Sequence, residues 1–238
     1  MIGMFFPFKN MIDSMDKMEK AALDLGLLPF FANNIRGFSI EEKTSPKYLF
    51  GDDYEDCWSW KGPVIGRMNL AYGKFFRRKA GFVSRELLPH FINYRRAKYP
   101  IKPYSTDEML LDIIRENDSL SSTELKKYIF GSRSSKREWD EPVDRSDFVP
   151  AKKGSLEGAL QRLQMSGHIC ITDFKYKISK KGDRYGWGVA VYSTPEVWFG
   201  EPDLKARVSP EESFKILVDH LSKKLRWASK KEIIRLIE

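Results

Sequence analysis

The clearest pattern of hydrophobic and polar positions lies in the second half of the chain. Two capping boxes, Ser105-x-x-Glu108 and Ser121-x-x-Glu124, each precede apolar residues at helical spacing, which predicts two helices. A third helix is predicted to start near Ser155, because an apolar stripe begins at the next residue. The stripe consists of Leu156, Ala159, Leu160 and Leu163.

Two strands are expected after the third helix. His168–Tyr176 and Gly188–Tyr192 are rich in branched and aromatic residues, and a basic turn with two glycines separates them. The order helix, short helix, helix, hairpin predicts a winged helix within an α+β, mostly helical fold. A charged insertion, Gly131–Pro150, is predicted as a loop that crosses this unit. Winged helices bind either DNA or other proteins, and both alternatives stay open on pattern alone.

The first half of the chain has shorter elements. A helix is predicted at Asp16–Leu25, a loop at Ser39–Pro46, and a hairpin of Leu70–Phe76 and Gly81–Val83. A further helix is predicted from Ser84 to Arg96, with Pro89 straining or delimiting its first turn. Near the end of the sequence, helices are predicted after Ser209 and over Lys230–Ile237.

The proline-rich segment Tyr99–Pro103 is predicted to be a stiff linker and a domain boundary. The expected organisation is therefore an N-terminal domain over residues 1–100 with helices and a hairpin, similar to a winged helix. A winged-helix domain follows at 104–198, and a helical extension at 199–238.

The chain is basic, with a net charge of +8 at pH 7. Between Lys74 and Lys102 the basic residues are opposed only by Glu86 and alternate with aromatic side chains, which favours contact with phosphates. This stretch contains the candidate phosphate contacts Arg77, Arg78, Lys79, Arg95 and Arg96. In the later unit, the candidate contacts are Gln161 and Arg162 on the third helix and Lys175, Lys177, Lys180, Lys181 and Arg184 on the wing.

An acidic cluster stands just before two tryptophans. Asp53 and Asp56 are candidate acid–base residues, and Trp58 and Trp60 are candidates for stacking on a flipped base. Solvated carboxylates and core tryptophans are the alternative. The sequence has no phosphate-binding loop or dinucleotide motif, and His90, His168 and His220 lack the spacing of zinc ligands. No cofactor and no metal are therefore expected.

The remaining features concern the compartment. Cys57 and Cys170 have no partner at CxxC spacing, and they fit reduced, packed thiols in a cytoplasmic protein. No apolar run approaches the length of a membrane span, so no membrane partner is expected. The oligomeric state does not follow from the sequence.

Several blocks resemble bacterial AlkZ-related proteins, which are relatives of the AlkZ/YcaQ winged-helix DNA glycosylases. The resemblance covers about residues 55–200. The blocks are Trp58–Val64, Ala71–Phe76, Lys79–Ser84, Leu120–Leu125, Gly154–Gly167 with Ile169, and Val191–Glu196.

This resemblance implies tandem winged helices that engage duplex DNA, and release of alkylated or cross-linked bases by hydrolysis without a metal. The catalytic signature of those glycosylases is a Gln-x-Gln pair in the N-terminal part. This chain departs from it, since its glutamines are Gln161 and Gln164.

Three hypotheses follow. The first is a DNA-binding winged-helix protein without the catalytic pair. The second is a divergent base-excision glycosylase that uses carboxylates near Asp53 and Asp56. The third is a module that binds an acidic protein.

Overall fold

The computed structural model describes residues 12–50, 55–130, 153–182, 184–201 and 204–238. Over these residues the protein is α+β, with helices packed on a six-stranded antiparallel sheet of order β1-β3-β2-β5-β6-β4. The predicted α+β class is confirmed. The predicted loop Gly131–Pro150 lies outside the described residues.

The first eight elements come from the N-terminal part. They are α1 (Met15–Leu25), β1 (Leu27–Pro29), α2 (Ile40–Lys43), a 3-10 helix (Pro46–Tyr48), α3 (Cys57–Gly66), β2 (Leu70–Phe76), β3 (Lys79–Ser84) and α4 (Leu88–Lys98). The predicted hairpin and both predicted helices are present. The loop expected at Ser39–Pro46 is wrong in part, because the Ser39 hydroxyl accepts the Glu42 amide and starts α2. Pro89 lies in the first turn of α4, where its missing amide costs no hydrogen bond.

The remaining elements follow the predicted order. They are α5 (Thr106–Glu116), β4 (Ser119–Ser121), α6 (Ser122–Phe130), α7 (Lys153–Met165), β5 (Cys170–Ile178), β6 (Arg184–Ser193), α8 (Pro195–Phe199), α9 (Pro210–Lys224) and α10 (Lys230–Ile237). Hydrogen bonds of the capping box at Ser121 and Glu124 are formed in both directions. β4 and α8 were not expected from the pattern. β4 is three residues long and pairs with β6 at the edge of the sheet.

One backbone pair joins the two halves of the sheet. Tyr72 of β2 pairs with Ile171 of β5. Two residues further along β2, the amide of Lys74 donates to Oε1 of Gln164 at 3.0 Å, while Nε2 of Gln164 donates to the Leu160 carbonyl. The Gln164 side chain therefore accepts the Lys74 amide at a position where β5, which begins at Cys170, provides no backbone partner. The division of the chain near Tyr99–Pro103 stays a prediction.

The core is continuous across the sheet. Phe91 of α4 packs on Phe75 and Phe76 of β2, with ring centroids 5.3 Å and 6.5 Å apart. Cys57 and Cys170 are buried, free thiols, as predicted. No helix in the described part of the chain is long and apolar enough to cross a membrane.

Candidate nucleic-acid interface

Side chains of β5 alternate between two environments. Asp173, Lys175 and Lys177 are exposed, whereas Phe174 and Tyr176 are partly buried. This alternation follows from the two-residue period of a strand. Phe174 packs toward Lys61 of α3, with Lys61 Nζ 4.5 Å from its ring centroid. The opposite face of β5 is therefore free to present lysines.

The β5–β6 hairpin carries a group of exposed cations. Lys177, Lys180 and Lys181 are exposed and make no ion pair with any residue that the structure describes. Arg184 is also exposed, and its guanidinium lies 5.2 Å from the ring centroid of Tyr176. We name these four residues the wing cations, after the wing that the sequence predicts. They concentrate positive charge at one end of the sheet.

Lys175 differs from the wing cations because it has an acidic partner. Its Nζ lies 3.1 Å from Oε1 of Glu124 on α6. The pKa of Glu124 is lowered to about 2, first by hydrogen bonds from the hydroxyl and amide of Ser121 and then by Lys175. A phosphate would have to compete with this carboxylate for Lys175.

The predicted contacts on α7 are partly occupied. Arg162 donates through Nε to Oδ2 of Asp107 at 2.8 Å and through Nη2 to Oδ1 at 2.6 Å. This contact raises the pKa of Arg162, first through the hydrogen bonds that its guanidinium donates to Asp107. Gln161 is half-buried. The guanidinium of Arg162 is therefore shared with α5 even though the side chain stays 59% exposed.

The β2–β3 hairpin has a two-residue turn made of arginines. Phe76 pairs with Lys79, and Arg77 and Arg78 have φ values of 49° and 70°. Positive φ at both central residues is the condition of a type I′ turn, in which Asn-Gly is preferred. Left-handed backbone costs an L-residue about 1–2 kcal/mol. Both arginines are exposed and have no ion-pair partner in the described part of the chain.

The remaining basic candidates have defined contacts. Lys79 Nζ donates to the carbonyl of Ala32 at 2.6 Å. Arg96 pairs with Glu196 at 2.6 Å and donates to the carbonyl of Gly167.

Arg95 is fully buried, and its guanidinium donates to the carbonyls of Phe75 and Glu238. Arg95 therefore holds two backbone segments together and presents no charge to solvent.

The structure separates the basic candidates into two groups. β2 and β5 are antiparallel and meet at Tyr72 and Ile171. The Arg77–Arg78 turn and the turn of the β5–β6 hairpin therefore lie at opposite ends of the strand direction. Counting residues from this pair places Arg77 about 35 Å from Lys177 at a strand rise of about 3.3 Å. The candidates do not form a single cluster.

The acidic candidates offer little for catalysis. Asp56 is buried and accepts the amide of Ser59 at 2.6 Å, which makes it the N-cap of α3. Asp53 lies outside the described residues. No group of His, Cys, Asp and Glu in the described part of the chain could hold a metal ion.

The candidate stacking residues belong to aromatic clusters. Trp58 is partly buried against Phe30, Phe31 and Phe50, with centroid distances of 5.7 Å, 6.3 Å and 6.0 Å. Trp60 lies 6.1 Å from the ring centroid of Tyr48. Phe50 is 57% exposed, so the Trp58 cluster reaches the surface.

Sequence reasoning missed Lys61. Its side chain is buried, its Nζ donates to the carbonyl of Trp58 at 2.5 Å, and the ammonium lies 3.7 Å from the Trp58 ring centroid. Burial lowers the pKa of Lys61 to about 8, although Asp56 acts in the opposite direction. Two tryptophans three residues or fewer before a lysine were the available signal, since a cation is attracted to the face of an indole.

Comparisons with known proteins give a family and a similar solved structure. The family model described as "AlkZ related" matches residues 12–238. The solved structure of Streptomyces sahachiroi DNA glycosylase AlkZ is similar to this chain at 12% identity, with a TM-score of 0.44. The similarity covers 91% of this chain but only 57% of that protein. No curated protein matches.

Proposed function

Because the chain belongs to the AlkZ-related family, we propose that it is a winged-helix protein that binds duplex DNA. The winged-helix unit would comprise α5, α6, α7 and the β5–β6 hairpin. Within it, the wing cations would contact phosphates and α7 would lie toward a groove.

The observation that carries this proposal is the exposure of Lys177, Lys180 and Lys181 without an acidic partner among the described residues. Unpaired lysines attract phosphates and release counterions from DNA, which gives a strong dependence of affinity on salt. Lys175 and Arg162 would contribute less to DNA binding, because they already form ion pairs with Glu124 and Asp107. The wing is therefore the principal contact in this proposal.

Base excision is not part of the proposal. The Asp56 carboxylate caps α3, and the Gln164 side chain accepts the Lys74 amide, so both side chains stabilise the fold. The glutamines also lack the Gln-x-Gln arrangement. DNA binding requires none of these groups.

The test is the affinity of the full chain for a short blunt duplex, measured by fluorescence anisotropy over a salt series. K180E/K181E is expected to weaken binding by about tenfold or more and to reduce the salt slope by about 2. K230E/K231E is the matched control, because it makes the same charge change at two exposed, adjacent lysines at the start of α10.

Equal affinity of K180E/K181E and the wild type would contradict the role of the wing. Absence of duplex binding even at low salt would contradict the proposed function as a whole and would favour an acidic protein as the partner.

A further inference from the structure

We propose that the Arg77–Arg78 turn and the neighbouring rings of Phe31, Phe50 and Trp58 form a second contact site, which binds single-stranded DNA. This inference shares with the proposed function only the assumption that the partner is DNA. The wing would hold the duplex, and this site would hold an unpaired strand. The preferred partner would then be a junction between double- and single-stranded DNA.

The first argument is the choice of residues in the turn. Both positions have positive φ, a conformation in which Asn-Gly is favoured and arginine is strained. No ion pair of the guanidinium groups offsets this strain, because neither Arg77 nor Arg78 has an ion-pair partner among the described residues. Strained backbone clusters at functional sites, and a guanidinium can bind both phosphates and base planes, so we assign these exposed arginines a binding role.

The second argument is the ring surface beside the turn. Phe50 is 57% exposed, and its ring lies 6.0 Å from that of Trp58, which in turn lies 6.3 Å from that of Phe31. Lys61 places a buried ammonium 3.7 Å from the Trp58 ring centroid and holds this indole in position. Stacking on aromatic side chains is how single strands are bound without sequence preference.

The third argument is that the two features are adjacent. The amide of Phe30 donates to the carbonyl of Ala80 at 2.8 Å, and Lys79 Nζ donates to the carbonyl of Ala32 at 2.6 Å. Residues 30–32 therefore run beside the first residues of β3, directly after the turn. This register brings Phe31 within about 10 Å of the arginines, which is a distance of two or three nucleotides.

The positive charge of the turn and the neighbouring aromatic rings together favour a single strand over the other possible partners. An acidic protein would be attracted by Arg77 and Arg78 but would gain little from three exposed or partly exposed aromatic rings. A duplex offers phosphates but keeps its base faces stacked. A single strand offers both phosphates and free base faces, so it is the occupant that uses the whole surface.

The decisive variant is R77N/R78G. It replaces the arginines by the residues that this turn prefers, so the melting temperature is expected to rise while the guanidinium groups are lost. The affinity for oligothymidylate, measured by fluorescence anisotropy, is expected to fall by about fivefold or more. The affinity for a blunt duplex is expected to stay within about twofold, because the wing lies about 35 Å away.

Three further proteins complete the test. F50A removes the most exposed ring without touching the turn, and it is expected to weaken oligothymidylate binding by about fivefold or more. K230Q/K231Q removes two charges from a distant site and is expected to change the same affinity by less than about twofold. R77K/R78K keeps the charge but loses the planar groups, and it is expected to bind between the wild type and R77N/R78G.

Unchanged oligothymidylate affinity in both R77N/R78G and F50A would overturn the inference. It would also be overturned if K180E/K181E alone abolished oligothymidylate binding, since the wing would then be the site. If the turn variants weaken oligothymidylate binding while the wild type fails to bind the blunt duplex even at low salt, the second site stands and the proposed function fails.

Discussion

Arg162 and Asp107 form a two-point ion pair between α7 and α5, with hydrogen bonds of 2.8 Å and 2.6 Å. A guanidinium meets a guanine edge or a phosphate with the same pair of donors. Gly158 leaves room for this arrangement, because a Cβ there would lie 3.3 Å from Nη1 of Arg162. Asp107 therefore occupies the donors that Arg162 would offer to DNA in the proposed complex.

The first prediction concerns this carboxylate. D107N keeps the size of the side chain but removes its charge, so Arg162 becomes available to DNA. Duplex affinity is expected to rise several-fold, with a salt slope steeper by about 1. Fluorescence anisotropy over a salt series measures both. D112N, which removes the exposed partner of Arg115 on the same helix, is the control. An unchanged slope in D107N would exclude Arg162 from the interface.

The second prediction concerns Lys61. Burial lowers the pKa of Lys61 to about 8, whereas the pKa of a lysine in the unfolded chain is about 10.4. Between these values the unfolded chain holds a proton that the folded protein has released, so the free energy of unfolding rises with pH. The wild type is expected to gain up to about 3 kcal/mol relative to K61M between pH 8 and pH 10.4.

Urea unfolding of both proteins measures this difference. Taking the difference removes the opposite contributions of Cys57 and Tyr72, whose pKa values burial raises. Parallel pH profiles for the wild type and K61M would show that Lys61 is not desolvated as the structure indicates.

The third prediction concerns His168. Burial, followed by the positive charges of Arg96 and Arg115, lowers its pKa to about 4. As the pH falls from about 6.5 to 4, the unfolded chain binds a proton that the folded protein excludes, so stability is lost. The wild type is expected to lose on the order of 2 kcal/mol relative to H168Q in this range.

Chemical denaturation at intervals of pH measures the loss. The carboxyl of Glu124 titrates lower, near pH 2, and is present in both proteins. A constant difference in unfolding free energy between the wild type and H168Q from pH 6.5 to 4 would contradict the prediction.

The fourth prediction separates structure from binding at Arg95. R95M leaves the carbonyls of Phe75 and Glu238 without their donor, so the free energy of unfolding is expected to fall by about 2 kcal/mol. Duplex affinity is expected to stay at the wild-type value when it is measured below the unfolding transition. R77Q, at an exposed arginine, is the control for stability. A lower duplex affinity of folded R95M would show that Arg95 also contributes to DNA binding.

Sequence reasoning worked best where local rules decide the structure. The helix predicted over Lys230–Ile237 has these bounds in the structure, and its capping box at Ser229 and Glu232 is formed. The strand Leu70–Phe76 was also predicted with its observed bounds. In each case the signal lies within a few residues of the element.

It failed where distant residues decide. α3 was not predicted, because Gly62 and Pro63 interrupt its pattern while packing on β5 and α1 stabilises it. Arg95 looked like a surface charge until the fold enclosed it between α4, β2 and the residues around Glu238. The partner of Arg162 could not be deduced either, since Asp107 lies 55 positions away.

The continuous sheet sets the distance between the two groups of exposed basic residues. Because backbone pairing at Tyr72 and Ile171 joins its two halves, the fold and not a flexible connection sets the distance between the Arg77–Arg78 turn and the β5–β6 hairpin. About 35 Å corresponds to about ten base-pair steps of duplex DNA at about 3.4 Å per step. If both proposed contacts exist, a DNA molecule much shorter than this would reach only one of them, and a longer one would reach both.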